Sequence, residues 1–480
     1  MTATLHHTPP APPSPPTRST SRRDLTAVRP LAAKARRRRA AVDLLGIAVW
    51  ASAAMAVTLW LTSGSVDVSG PGQVLISAGI VTGLVGTDLI LVMLVLAARL
   101  PVIDRLVGHD AAMAHHGKLG KPALYLLLTH AGLLIGGYAV EAGDSVVAET
   151  VGLWNTPDVL LAFFGLGGLV AVVWTSIVAV RRVLPYEGWH AIHLLSYAAV
   201  AVAIPHQLSQ GQMLAQGSWE RAYWIALYVV ALGSVAVFRF ALPAFRSLRH
   251  GVVVTGVERI ADDVVSVHLH GRDLDRLGAV GGQFFVWRFW APGLWWHAHP
   301  ISLSAAPTAT GMRLTVRALG RGSASLASLR PGTRVSFAGP YGIFTEAVRT
   351  STRVAVAASG IGVTPVRAFL ERLDAPPGAV TILLRARSER ETFLWHEIVA
   401  WAHARGHQVA VSVGPRGRGP VSWLAEGDTS RGVTAASVFP DLAHSDLYVC
   451  GPGRWSDLVE QDAAAAGLPA DQLHRERFDW

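Results

Sequence analysis

One cysteine, Cys450, stands in 480 residues. It excludes an intramolecular disulfide, a CxxC redox pair, a zinc finger and a Cys₄ iron–sulfur cluster, so any redox centre must use other ligands. Charge is also scarce, at 16% of residues against 51% hydrophobic. That balance, with a mean hydropathy of +0.36, excludes a wholly soluble protein. Acidic residues are nearly absent from the first forty positions, where nine Lys/Arg face only Asp24. This stretch holds eight of the nine net positive charges, so the body of the chain is no nucleic-acid binder. Its prolines (Pro9, Pro10, Pro12, Pro13, Pro15, Pro16) and the Arg36–Arg39 run predict a disordered basic tail over 1–40, a cytoplasmic topology anchor.

Long apolar runs are present in number. Six reach membrane-spanning length, at roughly 41–62, 73–100, 117–140, 158–180, 188–207 and 222–244. Basic residues cluster in the tail and in alternate loops (Arg99, Arg105, Lys118, Lys121; Arg181, Arg182; Arg239, Arg246, Arg249), whereas 141–158 carries Glu141, Asp144, Glu149 and Asp158 without a Lys or Arg. Positive residues stay on the cytoplasmic side, so both termini are predicted there, in a plasma-membrane protein.

Two spans carry histidines at membrane depth, where polar groups are costly and mark function. The third has His116 (beside His115) and His130; the fifth has His193 (near His190) and His206. Separations of 14 and 13 residues are about 21 and 20 Å on a helix, giving two imidazoles at each of two depths. Zinc wants three or four clustered ligands. Two levels of two ligands suit a pair of stacked haems, each held axially by one histidine from each helix. His116 and His130 fall roughly on one helix face, but His193 and His206 do not unless Pro205 breaks the helix between them.

From about 246 to 348 short β-rich runs alternate with turns, predicting an antiparallel barrel; 349–480 reads as strand, glycine turn and helix, a parallel α/β unit. Gly360-Ile361-Gly362-Val363-Thr364-Pro365 follows the first strand of that unit and offers helix N–H groups to a pyrophosphate. Arg385, Arg387, Ser388 and Arg390 after its second strand suit a 2′-phosphate, favouring NADPH over NADH.

Further motifs appear in order: His299-Pro300-Ile301-Ser302, Arg317-Ala318-Leu319-Gly320-Arg321-Gly322-Ser323, Gly339-Pro340-Tyr341-Gly342, the glycine turn, Cys450-Gly451-Pro452, and Glu476 to Trp480. In that order they resemble the ferredoxin-reductase flavoprotein module. With the six spans and their histidines, residues 41–480 resemble a transmembrane flavocytochrome of the ferric reductase and NADPH oxidase superfamily. The resemblance implies a six-helix haem domain (41–245), an FAD-binding β-barrel (246–348) and an NAD(P)-binding α/β domain (349–480), with FAD, two b-type haems and NADPH or NADH.

By the same resemblance His116 and His193 hold the inner haem, and His130 and His206 the outer. His299, Pro300, Ile301 and Ser302 line FAD, with Ser302 at its reactive edge. Arg317, Gly320 and Ser323 meet its pyrophosphate. Gly360, Gly362, Thr364, Pro365, Cys450, Gly451 and Pro452 hold the dinucleotide, and Phe478 and Trp480 cover the flavin face that nicotinamide must enter. Ser302, Cys450 and Trp480 are the catalytic candidates. Ile301 stands where the family has an aromatic residue, and Gly117 where a basic one follows the third-span histidine. The implied activity is electron transfer from cytoplasmic NAD(P)H to an external acceptor, ferric iron first and oxygen, giving superoxide, second. A six-span transporter or channel with a nucleotide-binding regulatory domain is the rival of another class, and it would tolerate loss of the histidines.

Overall fold

A computed structural model describes residues 22–177, 183, 186–210, 212–419 and 422–477. Phe478, Trp480, Arg181, Arg182 and the proline-rich start of the tail lie outside them. Contacts divide the chain into a unit of residues 41–242 and a second that includes 243–480.

The first unit is helical, and among the described residues six helices are long and apolar enough to cross a membrane. Helix α1 (Arg22–Thr62) begins well before the apolar run. Residues 22–40, expected to be disordered, are therefore helical: Arg, Ala and Leu are strong helix formers, and the span supplies the nucleus from which the helix extends. Helix α2 (Pro71–Ala97) starts with Pro at its first position, where the missing N–H costs nothing. A short α3 (Pro101–Leu106) leads into α4 (His109–Ala142), which ends on Gly143 in the left-handed region (φ 66°). After α5 (Val146–Trp154) and α6 (Pro157–Ser176), the fifth crossing is made of two pieces, α7 (Tyr186–Val202) and α8 (Ile204–Gln210), with the break at Ala203 just before Pro205. The sixth runs as α9 (Trp219–Ser234), a π-helical turn (Val235–Ala241) and α10 (Leu242–His250).

Small residues set the spacing within this unit. A Cβ on Gly83 of α2 would lie 2.4 Å from His130 Nδ1, and one on Gly165 of α6 would lie 2.7 Å from the Ala199 carbonyl. Lipid supplies no hydrophobic drive between helices, so such close approach gives the packing its energy.

The second unit opens with two three-stranded antiparallel sheets, β1-β2-β5 and β4-β3-β6. Their strands are β1 (Val253–Ala261), β2 (Val264–His270), β3 (Phe284–Phe289), β4 (His299–Ser302), β5 (Gly311–Arg317) and β6 (Val335–Tyr341). Single bridges, Val253 to Arg334 and Leu303 to Leu314, join one sheet to the other. Between them lies a core of Phe285, Trp287, Phe289, Leu303, Leu314 and Phe337. Each large side chain so buried is worth roughly 1.5–3 kcal/mol.

A five-stranded parallel sheet follows, in the order β11-β10-β7-β8-β9. Its strands are β7 (Arg353–Ser359), β8 (Val380–Ala386), β9 (Gln408–Val413), β10 (Ser445–Cys450) and β11 (Leu473–Glu476). Helices α11 (Val363–Arg372), α12 (Trp395–Ala404) and α13 (Gly453–Ala465) connect them. One face packs Val356, Ile382, Phe369 and Tyr448, the other Ala355, Leu383, Trp423 and Trp455. Both faces being covered, the middles of the central strands β7, β8 and β10 are apolar. The chain reverses direction across the sheet between β7 and β10, so the crevice at their carboxyl ends is the ligand site of this topology.

Flavin and dinucleotide parts are tied by charge. Arg313 of β5 grips Glu397 of α12 with two bonds of 3.0 Å, and Arg367 reaches the same carboxylate at 2.6 Å. Burial alone would raise the Glu397 pKa, but Arg313 and Arg367 hold it below the ordinary value.

Candidate functional site

In the membrane unit α2 is the wall against which α4 sets its histidines. His116 Nδ1 lies 3.1 Å from the Met93 carbonyl and His130 Nδ1 2.8 Å from the Gly79 carbonyl. These anchors are 14 residues apart on each helix, so the two levels are about 21 Å apart. Both contacts engage Nδ1, which turns Nε2 away from α2. At the first of these levels His193 faces His116, ring centres 5.9 Å apart and planes at 61°. Two facing imidazoles at this spacing are donors of the kind that would hold a haem iron between them. His193 Nδ1 meets Ser176 Oγ at 3.4 Å, and Trp189 stacks beside it at 5.1 Å.

At the second level His206 lies on α8, beyond the break at Ala203, within electrostatic reach of His130. Among the described residues no three His, Cys, Asp or Glu side chains gather as a tetrahedral metal would require. His115 bonds back to its own helix at Ala111, and His190 contacts Arg239. Gly79 and Gly83, which let His130 lie against α2, were not singled out in the sequence; their four-residue spacing was the available signal.

In the flavin part, β4 pairs antiparallel with β3, with Ser302 opposite Phe284 and Pro300 opposite Val286. The alternation of a strand puts Pro300 and Ser302 on one face and His299 and Ile301 on the other. Trp287 Nε1 donates to the Ile301 carbonyl at 3.1 Å, fixing the strand. Ser302 is only 3% exposed, yet its Oγ has no hydrogen-bond partner among the described residues. An orphaned buried hydroxyl suits a ligand acceptor such as a flavin ring.

The expected pyrophosphate residues are differently engaged. Arg317 donates to Asp263 at 2.6 Å and to Glu391 at 2.9 Å. Burial acts against its charge, but the two carboxylates outweigh it and raise its pKa. A diphosphate would compete with these acids for the guanidinium. Ser323 Oγ closes its own turn, accepting from the Leu319 and Gly320 amides at 3.0 and 3.1 Å.

The dinucleotide motifs converge. Register sets Cys450 against Ala358 across β10 and β7. A Cβ on Gly362 would lie 2.3 Å from the Cys450 carbonyl, and one on Gly451 would lie 2.6 Å from Trp455. Glycine is thus required where the two loops touch. Gly360 and Gly362 form the tight turn, and Thr364 and Pro365, both buried, open α11 with Thr364 Oγ1 on the Ile361 carbonyl at 3.0 Å. Pro452 caps α13, whose first turn faces the same crevice end of the sheet.

Cys450 is fully buried. Burial, reinforced by Glu476, pushes its thiol well above the ordinary cysteine pKa. It is therefore a neutral thiol, not a nucleophile. N-ethylmaleimide at neutral pH is expected to leave the native protein unlabelled and to label it once denatured; mass spectrometry reads the difference.

Arg385 corrects the sequence-based expectation. It is 4% exposed, and its guanidinium donates to the carbonyls of Trp423, Ser412 and Gly414 at 3.3, 3.3 and 2.8 Å and to that of Ala386. Facing the sheet at its β8 position, it braces loops and does not present itself to a phosphate. Arg387, Ser388 and Arg390 are exposed beyond the strand end. Arg416, after β9, is also exposed, and its charge and that of Arg387 both reach Arg385. Arg416 was missed because it is distant in sequence and joins this group only through the β8–β9 pairing.

The chain resembles known proteins in both halves. Residues 82–204 match the family described as "Ferric reductase like transmembrane component". A ferredoxin–NADP reductase B of Sorangium cellulosum is 31% identical over 33% of this chain and 68% of its own length. A flavohemoprotein of Xylella fastidiosa is 24% identical over 62% of this chain and 78% of its own. Among solved structures, the FAD/NAD-binding domain of a nitric oxide dioxygenase from Vibrio cholerae shares 20% identity over 48% of this chain and 99% of that domain, at a TM-score of 0.36. The soluble module thus belongs to the ferredoxin–NADP reductase family and follows a membrane component similar to that of ferric reductases, so the chain is an integral membrane oxidoreductase.

Proposed function

We propose that the protein carries electrons from cytoplasmic NADPH across the plasma membrane, by way of FAD and two bis-histidine b-type haems, to an external acceptor, ferric iron by preference. The observation that carries this reading is the facing pair His116 and His193, 5.9 Å between ring centres, with Nδ1 of His116 tied to a carbonyl. When bound, FAD accepts a hydride and haems relay single electrons, which is cofactor chemistry. The chain's part is to hold these groups apart, oriented and dry. His116 and His193 would hold one haem iron and His130 and His206 the other. Ser302 offers its hydroxyl at the flavin's reactive edge, and the Gly360–Pro365 turn with Cys450-Gly451-Pro452 positions the nicotinamide dinucleotide. Both termini face the cytoplasm, following the basic loops. Outward passage of an electron from a negative interior is favoured by about 2.3 kcal/mol per 100 mV.

The deciding experiment is a reduced-minus-oxidised absorption spectrum of the detergent-solubilised protein after NADPH addition. Bands of low-spin b-type haem together with flavin bleaching are expected; a protein purified without haem absorbance removes the reading. Ferrozine trapping of ferrous iron against superoxide-dismutase-sensitive dye reduction then separates a ferric reductase from an oxidase.

Donor choice is assigned to Arg387 and Ser388, with Arg416 beside them. A charge-assisted bond to phosphate is worth about 1.5–3 kcal/mol, so Arg387→Ala should raise the KM for NADPH roughly tenfold to a hundredfold by that energy and leave that for NADH unchanged. Equal effects on the two donors would exclude the assignment.

A further inference from the structure

The sixth span carries an arginine at membrane depth, Arg239, within the π-helical turn Val235–Ala241. A π turn inserts a residue into the helix, re-aims the side chains it carries, and is frequent at functional sites. Its Nη1 donates to the Ala97 carbonyl at 3.3 Å and its Nη2 to His190 Nε2 at 3.3 Å. Ala97 is the last residue of α2, one helical turn beyond Met93, whose carbonyl holds His116. Arg239 therefore stands at the inner histidine level, and its charge reaches both His116 and His193.

We propose that Arg239, steadied by His190, anchors the carboxylates of the porphyrin held between His116 and His193. The inference rests on the haem reading above. A b-type haem brings two propionates, and carboxylates in a low-dielectric site need a cation with hydrogen-bond donors. A guanidinium supplies that charge, as an ammonium would, and its planar fork adds a second bond to the carboxylate. The residue directly after His116 is Gly117, with nothing within 4 Å of a Cβ built on it, and Lys118 and Lys121 on the same helix are exposed. The inner cation thus comes from α9's continuation. A charge in a membrane segment is costly and is kept for a function. His190, accepting from Arg239 at Nε2, orients the fork and is itself no iron ligand.

The test compares Arg239→Ala, Arg239→Gln and Arg239→Lys with the unmodified full-length protein, reading haem per chain by pyridine haemochrome and both haem potentials by redox titration. In Arg239→Ala, haem content should fall from two toward one per chain, or the potential of one haem should move downward while the other stays, since loss of a nearby positive charge disfavours the reduced form. Two haems at unmoved potentials in Arg239→Ala overturn the inference and leave the proposed function standing, whereas an unmodified protein without haem removes both. Should Arg239→Ala lose both haems, the other variants decide. Recovery of the inner haem by Lys but not by Gln supports the anchor; recovery by both or by neither overturns it.

Discussion

His193→Ala is expected to yield a protein that keeps one haem and no longer reduces it with NADPH. The removed ring faces His116 at 5.9 Å and packs on Trp189; a haem iron proposed to lie there would keep His116 as its one protein ligand, in an opened pocket. The outer pair, His130 and His206, lies about 21 Å away along α4 and depends on other contacts, those of Gly79 and Gly83. Dithionite, which reduces haem without the flavin, should therefore still reduce the remaining haem, while NADPH should reduce FAD and stop there. Stopped-flow spectra at flavin and haem wavelengths separate the two. A transporter or channel regulated by a nucleotide-binding domain would be indifferent to this change, so full NADPH-driven haem reduction or an undiminished haem content in His193→Ala would sink the wire. Ser176→Ala, removing a partner of His193 Nδ1, gives a milder version of the same defect, about 10–100-fold in metal affinity at most.

The six spans and the two soluble parts were legible because they are written in periods: apolar runs of spanning length, β-branched alternation from Val252 onward, and strand–glycine–helix repeats after Arg353. The histidine levels were legible as well, since 14 residues mean the same rise in any helix. Details that depend on which way a side chain turns were not. Arg385 sits inside the β8 ladder opposite Ser412, where the carbonyls of neighbouring loops take its guanidinium, while Arg387 lies past the strand end and stays exposed, and composition treats them alike. Arg317 looked like a phosphate ligand until the fold brought Asp263 and Glu391, from distant segments, to it. The β4 strand was hidden inside a four-residue motif, too short for a periodic signal. The start of α1 at Arg22 was hidden by composition, because proline and like charge in the tail outweighed the helix-forming Ala and Leu that follow. Arg239 was read only as a topology-setting charge; the π turn that aims it at the inner histidines is a property of the folded helix alone.

Ser302→Ala tests the flavin end with the opposite pattern of activity and stability. A buried hydroxyl usually contributes to folding through its partner, and its removal then costs about 0.5–1.5 kcal/mol. Ser302 Oγ has no such partner among the described residues, while its strand is held by the β3 pairing and by Trp287 on the Ile301 carbonyl. Replacing it by alanine removes an unsatisfied polar atom and a single oxygen of volume, so the melting temperature of the flavin-free protein should hold or rise. The rate of flavin reduction by NADPH should instead fall about 10²–10³-fold, the loss typical when one preorganised donor is taken from a site where charge develops. Threonine, which keeps the hydroxyl on a bulkier side chain, should recover part of it. Flavin content and stopped-flow bleaching at saturating NADPH distinguish a lost hydride step from lost flavin. Unchanged bleaching with a lowered melting temperature would make Ser302 a packing residue and remove it from the chemistry.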